Sequence, residues 1–268
     1  MTDDRKDVLR SPDSKYKPAV YIIGTGTGDP ELLTIKAKKI IDRADVILVA
    51  DSLIPPQIYR DCRQDAEIIT TSDKNLEEII SLTIARVKNN LVVARLHSGD
   101  LSLYSAIREQ IECWREAEIP FELIPGISIF QAAAAKLETE LTIPNLVQTI
   151  ILTRISGRAS AVPEKEDLAS LAAHQANLCL YLAANLVEIA REKLLEHYPA
   201  DTPVAICYRL GWEEEKIWVV SLAEMAAVSR SHGLTRSTLY IISPALRKEI
   251  TDRSPKEPLL RSQLYSKN

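Results

Sequence analysis

The sequence is short of the residue patterns that announce metal, redox or hydrolytic chemistry. Its four cysteines, Cys62, Cys113, Cys179 and Cys207, are scattered, with no Cys-x-x-Cys pair. That spacing predicts reduced structural thiols in a cytoplasmic protein and no disulfide framework. The four histidines lack zinc-like spacing, so no protein metal site is expected. No apolar run approaches the ~20 residues that span a bilayer. Met1 to Lys17 is charged and lacks the apolar core of a signal peptide. No Gly-x-Ser-x-Gly elbow and no clear acid–base carboxylate pair are present, which disfavours a hydrolase. A net charge of −4 argues against a general nucleic-acid binder.

Glycine is also scarce, at eight in 268 residues. Three of the eight fall in one stretch, Val20-Tyr-Ile-Ile-Gly24-Thr-Gly26-Thr-Gly28-Asp29-Pro30. An apolar run stops there at a glycine loop, and a helical pattern follows. Strand, glycine loop and helix is the layout of a ligand-binding α/β edge. The dinucleotide fingerprint wants glycine at its sixth position, which here is Asp29. A P-loop wants Gly-Lys-Ser/Thr, which is absent. The loop therefore reads as a wall that a ligand approaches closely, not as a phosphate cradle.

Strands are expected at Ala19–Ile23, Val46–Ala50, Ala66–Thr70, Leu91–Leu96 and Phe121–Ile124. Between them lie a helix spaced by Ala37, Ile40, Ile41 and Ala44 and one capped by Asn75 and Glu78 that runs to Lys88. Another is expected from Ser102 to Ala117. Strands alternating with helices imply a parallel sheet covered on both faces. After Pro125-Gly126 the pattern changes. A helix over Ser128–Leu137 precedes strands at Val147–Arg154 and Leu178–Leu182, and another helix spans Asn185–His197. Val204–Arg209 and Ile217–Ser221, joined by a short acidic turn, read as an antiparallel pair, and Leu239–Ile242 is the last strand. The fold class is α/β: a domain over 18–126 and a second over 127–246, meeting around a cleft, with tails at 1–17 and 247–268.

Ligands bind beyond the carboxyl ends of parallel strands. Gly24–Pro30, Ser98–Tyr104 and Pro125–Ile129 lie at such ends and could ring one pocket. Asp100 could meet a cation or ribose hydroxyls, or cap the next helix. Ser128 reads first as a helix cap. Asp51 could hold a ribose, but a cap of the next short helix fits it better. Arg154 and Arg158 flank a glycine turn and read equally as an anion site or as a solvated turn.

Gly24-Thr-Gly-Thr-Gly-Asp-Pro-Glu-Leu-Leu-Thr34, Ala44-Asp-Val46, Asp51-Ser52, Ser98-Gly-Asp100, Pro125-Gly-Ile-Ser128 and Leu141-Thr-Ile-Pro144 together resemble the tetrapyrrole methylase family, over Val20 to Leu246. Ala50-Asp-Ser-Leu-Ile54, Leu141-Thr-Ile-Pro144 and Gln148-Thr-Ile-Ile-Leu-Thr-Arg154 resemble its branch that methylates C11 of precorrin-4 in cobalamin synthesis. The resemblance implies S-adenosylmethionine, left as S-adenosylhomocysteine, in the cleft of a homodimer. By position, the cofactor would meet Thr27, Ser98, Gly99, Asp100, Leu103, Ser128, Ile129, Leu182, Leu210 and Thr238. A small-molecule tetrapyrrole, with or without cobalt, would meet Gly26, Gly28, Asp29, Asp51, Arg154 and Arg158. No catalytic side chain is assigned. Thr27 stands where the family usually has proline, Leu101 replaces the proline after Gly-Asp, and Ser105 replaces the glycine after Tyr104. A cofactor without phosphate suits a glycine loop without lysine. Methyl transfer from a sulfonium is an in-line displacement that needs alignment and exclusion of water, not a strong base. Family relatives acting on another ring carbon, on RNA or on protein are the alternatives, with a non-catalytic nucleotide-binding regulator behind them.

Overall fold

Three runs, β1 (Ala19–Gly24), β2 (Val46–Val49) and β4 (Val92–His97), are buried at every residue. In strands covered on both faces each residue meets a core, which explains the near-continuous apolar runs. The computed structural model describes residues 16–157 and 161–246. The tails expected at 1–17 and 247–268 lie almost wholly outside these residues, and Arg158 lies outside them too. The chain divides into two compact units between Ser128 and Ile129, just past the expected boundary at Pro125-Gly126.

In the first unit, β3 (Glu67–Thr70) and β5 (Phe121–Ile124) complete a parallel sheet of order β3-β2-β4-β1-β5. Successive side chains point to opposite faces. Tyr21, Ile23, Ile47, Val49, Ala94 and Leu96 pack on one side with Ala37, Ile40 and Ile41 of α1 (Ile35–Ile41). Val20, Ile22, Val46, Leu48 and Val93 pack on the other. There they meet Ile79, Ile80 and Val87 of α2 (Leu76–Lys88) and Trp114 of α3 (Arg108–Glu116). Each fully buried aliphatic contributes ~1.5–3 kcal/mol. The expected capping box opens α2: the Asn75 side chain accepts from the Glu78 amide at 2.9 Å, and the Glu78 carboxylate accepts from the Asn75 amide at 2.8 Å.

The structure corrects two expectations here. The helix expected from Ser102 begins only at Arg108, with Ile107 at its N-cap, so Asp100 does not cap it. Asp100 instead accepts from the Ser102 amide and hydroxyl, and the Ser105 hydroxyl donates to the Asp100 and Leu103 carbonyls. These local bonds hold the segment as a loop. Asp51 caps no helix either. The 3-10 turn at Pro56–Ile58 starts after Pro55, and the Leu53 and Ile54 amides bond to the Ala50 carbonyl.

The second unit contains α4 (Ile129–Lys136), β6 (Ile150–Arg154), α5 (Leu168–Ala172), β7 (Asn177–Tyr181), α6 (Val187–Leu195), β8 (Pro203–Tyr208), β9 (Lys216–Ser221), α7 (Met225–Ser231) and β10 (Thr238–Ile242). Its sheet runs β6-β7-β10-β8-β9, with β6 and β7 parallel and the other pairs antiparallel. One face packs on α5, α6 and α7, the other on α4 and on Leu137, Leu141 and Leu246. The strand expected from Val147 begins at Ile150, because Val147 is bridged back to Ile143.

Candidate functional site

The first sheet leaves a crevice at one place. β1 and β4 are neighbours. The chain leaves β1 through α1 on one face and leaves β4 through α3 on the other. Connections departing to opposite faces make a topological switch point at the carboxyl ends of these strands. The loops Gly24–Pro30 and Ser98–Ile107 start there, and Pro125–Ser128 follows the adjacent β5.

The three loops are laced together through backbone. Gly26 and Gly99 form an antiparallel bridge, the Gly26 amide donating to the Gly99 carbonyl at 3.1 Å and the Gly99 amide to the Gly26 carbonyl at 2.7 Å. Gly24 and Gly126 are required by proximity. A Cβ on Gly126 would lie 2.3 Å from the Gly99 carbonyl oxygen, and one on Gly24 would lie 2.7 Å from the Gly126 nitrogen. Asp100 adds a side-chain tie, its second carboxylate oxygen accepting from the Gly126 amide at 2.9 Å. Burial disfavours its charge, but the hydrogen bonds from Ser102, Gly126 and Leu101 outweigh burial and hold the carboxyl below its ordinary value.

This edge has unspent polar capacity. The Thr25 hydroxyl donates to the His97 carbonyl at 2.9 Å. Thr27 is buried, and among the described residues its hydroxyl oxygen has no hydrogen-bond partner. Asp29 caps the 3-10 turn Pro30–Leu32 through the Glu31 amide at 2.9 Å. Ser98 is exposed, Leu103 half-buried, and Ser128 buried directly before α4. No lysine or arginine occurs in Gly24–Pro30, Ser98–Ser105 or Pro125–Ser128. A phosphate would lack a side-chain cation here. A nucleoside ligand without phosphate fits backbone edges and an unspent hydroxyl. Asp51 lies exposed beyond β2.

Sequence reasoning missed two buried groups on β4. Arg95 is 5% exposed and donates to the Thr71 hydroxyl at 3.2 Å and the Gln110 side-chain oxygen at 3.5 Å. Burial lowers its pKa to about 10, so it stays charged at neutral pH. His97 is 8% exposed, and its Nε2 has no partner among the described residues. Burial, with the Arg95 charge beside it, lowers its pKa to about 3. The available signal was an arginine and a histidine at alternate positions inside an apolar run.

In the second unit the candidates share one sheet edge. Arg154 pairs with Tyr181 and Thr238 with Tyr208, so the carboxyl ends of β6, β7 and β8 lie beside the start of β10. Arg154, Leu182, Leu210 and Thr238 all fall there. Three non-glycine residues at this edge are left-handed: Leu182 at φ 54°, Arg209 at φ 47° and Ser237 at φ 51°. Leu182 is 63% exposed, and Leu210 is buried. The Arg209 guanidinium pairs with Glu214 at 3.1 Å and lies over the Tyr208 and Trp212 rings.

The profile of the Tetrapyrrole (Corrin/Porphyrin) Methylases matches residues 19–226. The chain is 40% identical over 250 residues to a cobalt-precorrin-4 C(11)-methyltransferase of Methanocaldococcus jannaschii, covering 93% of each. It is 41% identical over 231 residues to a precorrin-4 C(11)-methyltransferase of Pseudomonas aeruginosa, covering 86% of this chain and 91% of that one. A solved cobalt precorrin-4 methyltransferase, a cobalamin biosynthetic enzyme, superposes with a TM-score of 0.83 at 36% identity, covering 86% of this chain and 96% of its own. The chain belongs to the tetrapyrrole methylase family.

Proposed function

We propose that the protein is an S-adenosylmethionine-dependent C-methyltransferase that methylates C11 of precorrin-4 or cobalt-precorrin-4 in cobalamin synthesis. The observation that carries this reading is the laced edge of the first sheet. It offers backbone and the Thr27 hydroxyl to a ligand and no cation to a phosphate. It occurs in a chain alike over nearly its whole length to enzymes named for this reaction.

When bound, the cofactor supplies a methyl group on a sulfonium. Thr27, Ser98, Gly99, Asp100, Leu103, Ser128, Ile129, Leu182, Leu210 and Thr238 are the proposed contacts, carried over by position from the family resemblance. Asp100 acts as a held carboxylate, one oxygen accepting from the Ser102 amide and hydroxyl and the other from the Gly126 amide, and it is the proposed acceptor for ribose hydroxyls or the amino group. Thr27 offers its unspent hydroxyl. Gly26, Gly28 and Asp29 form the wall against the macrocycle, with Asp51 further along. Arg154 and Arg158 pair with its carboxylates, since guanidinium grips carboxylate bidentately. Alignment of the accepting carbon and exclusion of water supply the rate. A cytoplasmic location, read from the scattered cysteines, and a homodimer, implied by the family resemblance, belong to the same reading.

The test is incubation with methyl-labelled S-adenosylmethionine and precorrin-4, with and without cobalt, followed by carbon NMR of the product. A new methyl at C11 is expected. A methyl at another ring carbon would keep the family and reject this substrate position.

A further inference from the structure

The loop after β4 is held in a shape its sequence resists. Tyr104 has φ 53° and Ala106 has φ 49°. Left-handed backbone costs a side-chain-bearing residue energy that glycine does not lose. Such strain persists only where surrounding structure over-determines it, and it concentrates at ligand sites.

Here the determinants are visible. Arg95 donates to the Gln110 side-chain oxygen, and the Gln110 side-chain nitrogen donates to the Ala106 carbonyl at 3.2 Å. The His97 imidazole is hydrogen-bonded to the Ser105 backbone. The Ser105 hydroxyl reaches back to the Asp100 and Leu103 carbonyls at 3.0 and 3.2 Å. Two buried groups on one strand thus fix the backbone of Ser105 and Ala106, just after Tyr104. Burying a guanidinium on neutral partners is costly for a fold, so the arrangement calls for a return beyond packing. Its product is visible too: the Tyr104 side chain is not tucked away but stands 45% exposed at the carboxyl edge of the sheet.

We infer that Tyr104 is a substrate-contacting residue, its ring presented to the face of the tetrapyrrole macrocycle, and that Arg95, His97 and Gln110 are positioning residues that hold it there. An aromatic face on a broad, largely apolar ring system gives large contact area at a cost of two side-chain torsions. This rests on the proposed methyltransferase reading and adds a residue to its substrate site.

The experiment compares the full-length wild type with Tyr104→Gly, Tyr104→Phe and Gln110→Leu. It reads melting temperature, S-adenosylhomocysteine affinity, cobalt-precorrin-4 affinity with S-adenosylhomocysteine present, and turnover. Tyr104→Gly relieves the strained φ, so its melting temperature should not fall. Its S-adenosylhomocysteine Kd should stay within twofold, while its cobalt-precorrin-4 Kd and KM rise at least tenfold. Tyr104→Phe should stay within threefold of wild type, and Gln110→Leu should fall between. A Tyr104→Gly protein that binds the macrocycle normally overturns the inference, as does one that loses only stability. Ring-dependent binding without methylation at C11 would reject the reaction and keep Tyr104. Normal methylation with ring-independent binding would do the reverse. No binding by the wild type would overturn both.

Discussion

The two sheet edges solve the same geometric problem with different residues. At the first edge the turns are made by glycine: Gly24, Gly26, Gly99 and Gly126 meet within a few ångströms of one another. At the second, Leu182, Arg209 and Ser237 adopt a left-handed backbone with side chains attached, as Gly26 and Gly99 do at the first without them. The difference separates two requirements often run together. A positive φ costs a side chain ~1–2 kcal/mol, which a fold can absorb. Two backbones in contact leave no volume for a Cβ, which a fold cannot absorb. Gly24 and Gly126 sit where volume decides, whereas Leu182, Arg209 and Ser237, like Tyr104 and Ala106 at the first edge, bear strain where only φ does.

The largest expected effect breaks the first edge. In Gly126→Ala the new methyl would sit 2.3 Å from a backbone oxygen, which cannot swing aside as a flexible side chain can. The loss should reach or exceed the ~3 kcal/mol top of the usual overpacking range. Chemical denaturation measures it. A loss under 1 kcal/mol would show that the three loops are looser than their contacts imply.

Next is the acid limb of stability. The unfolded chain protonates His97 near pH 6.5, whereas the fold holds its pKa at about 3. Between these values the unfolded state carries one more proton, so stability falls as pH falls, by about 1.4 kcal/mol per unit from this group. Above pH 6.5 the group contributes no slope. His97→Phe should flatten the denaturation free energy between pH 6 and 4 relative to wild type. An unchanged slope would mean that His97 takes up its proton in the folded state.

What was legible in the sequence follows the same division. The strands β1, β2 and β4 showed as apolar runs because burial on both faces demands them. Asn75 with Glu78 marked the start of α2 because capping uses side chains of a fixed type and spacing. The glycine loop marked the crevice because Gly24 lies against the Gly99 and Gly126 backbone and Gly26 and Gly28 turn through positive φ. The loop at Leu101–Ile107 did not show. Nothing in Tyr104 or Ala106 signals a left-handed backbone, and the ties that impose it come from Arg95, His97 and Gln110 on other elements. The five-residue α5 is too short to repeat a helical period clearly. Leu182, Arg209 and Ser237 converge only because β10 runs antiparallel to β7 and β8, which no local pattern states.

A smaller effect should come from Asp100. Its two oxygens accept from Ser102 and from Gly126. Asparagine keeps one acceptor and turns an amide against the other donor, so Asp100→Asn should lose about 1–3 kcal/mol of stability. A carboxyl held below its ordinary value contributes stability above about pH 4 and loses it as pH falls through its lowered folded value. The gap between wild type and variant should therefore be full at pH 7 and close on acidification. A gap that survives at pH 2 would locate the effect in shape and not in charge. Calorimetry with S-adenosylhomocysteine on the same variant separates the loop tie from a direct contact, since only the contact weakens binding at a temperature where both proteins are folded.

The smallest effect tests the second edge. Leu182 is left-handed and 63% exposed, so its side chain gains little from packing within the chain. Glycine there removes ~1–2 kcal/mol of backbone strain but adds ~0.5–1 kcal/mol of unfolded-state entropy. The two nearly cancel, and Leu182→Gly should change stability by less than about 1 kcal/mol, in the stabilising direction. The exposed Leu182 is one of the proposed cofactor contacts. If it covers the proposed cofactor, the same variant should weaken S-adenosylhomocysteine binding by about 1 kcal/mol or more, the scale of apolar area taken from water. Gly126→Ala destroys the first edge by filling a volume, whereas Leu182→Gly should leave the second edge folded and dull only its grip. A clear loss of stability with unchanged binding would mean that Leu182 packs for the fold, and the likeness between the two edges would end at geometry.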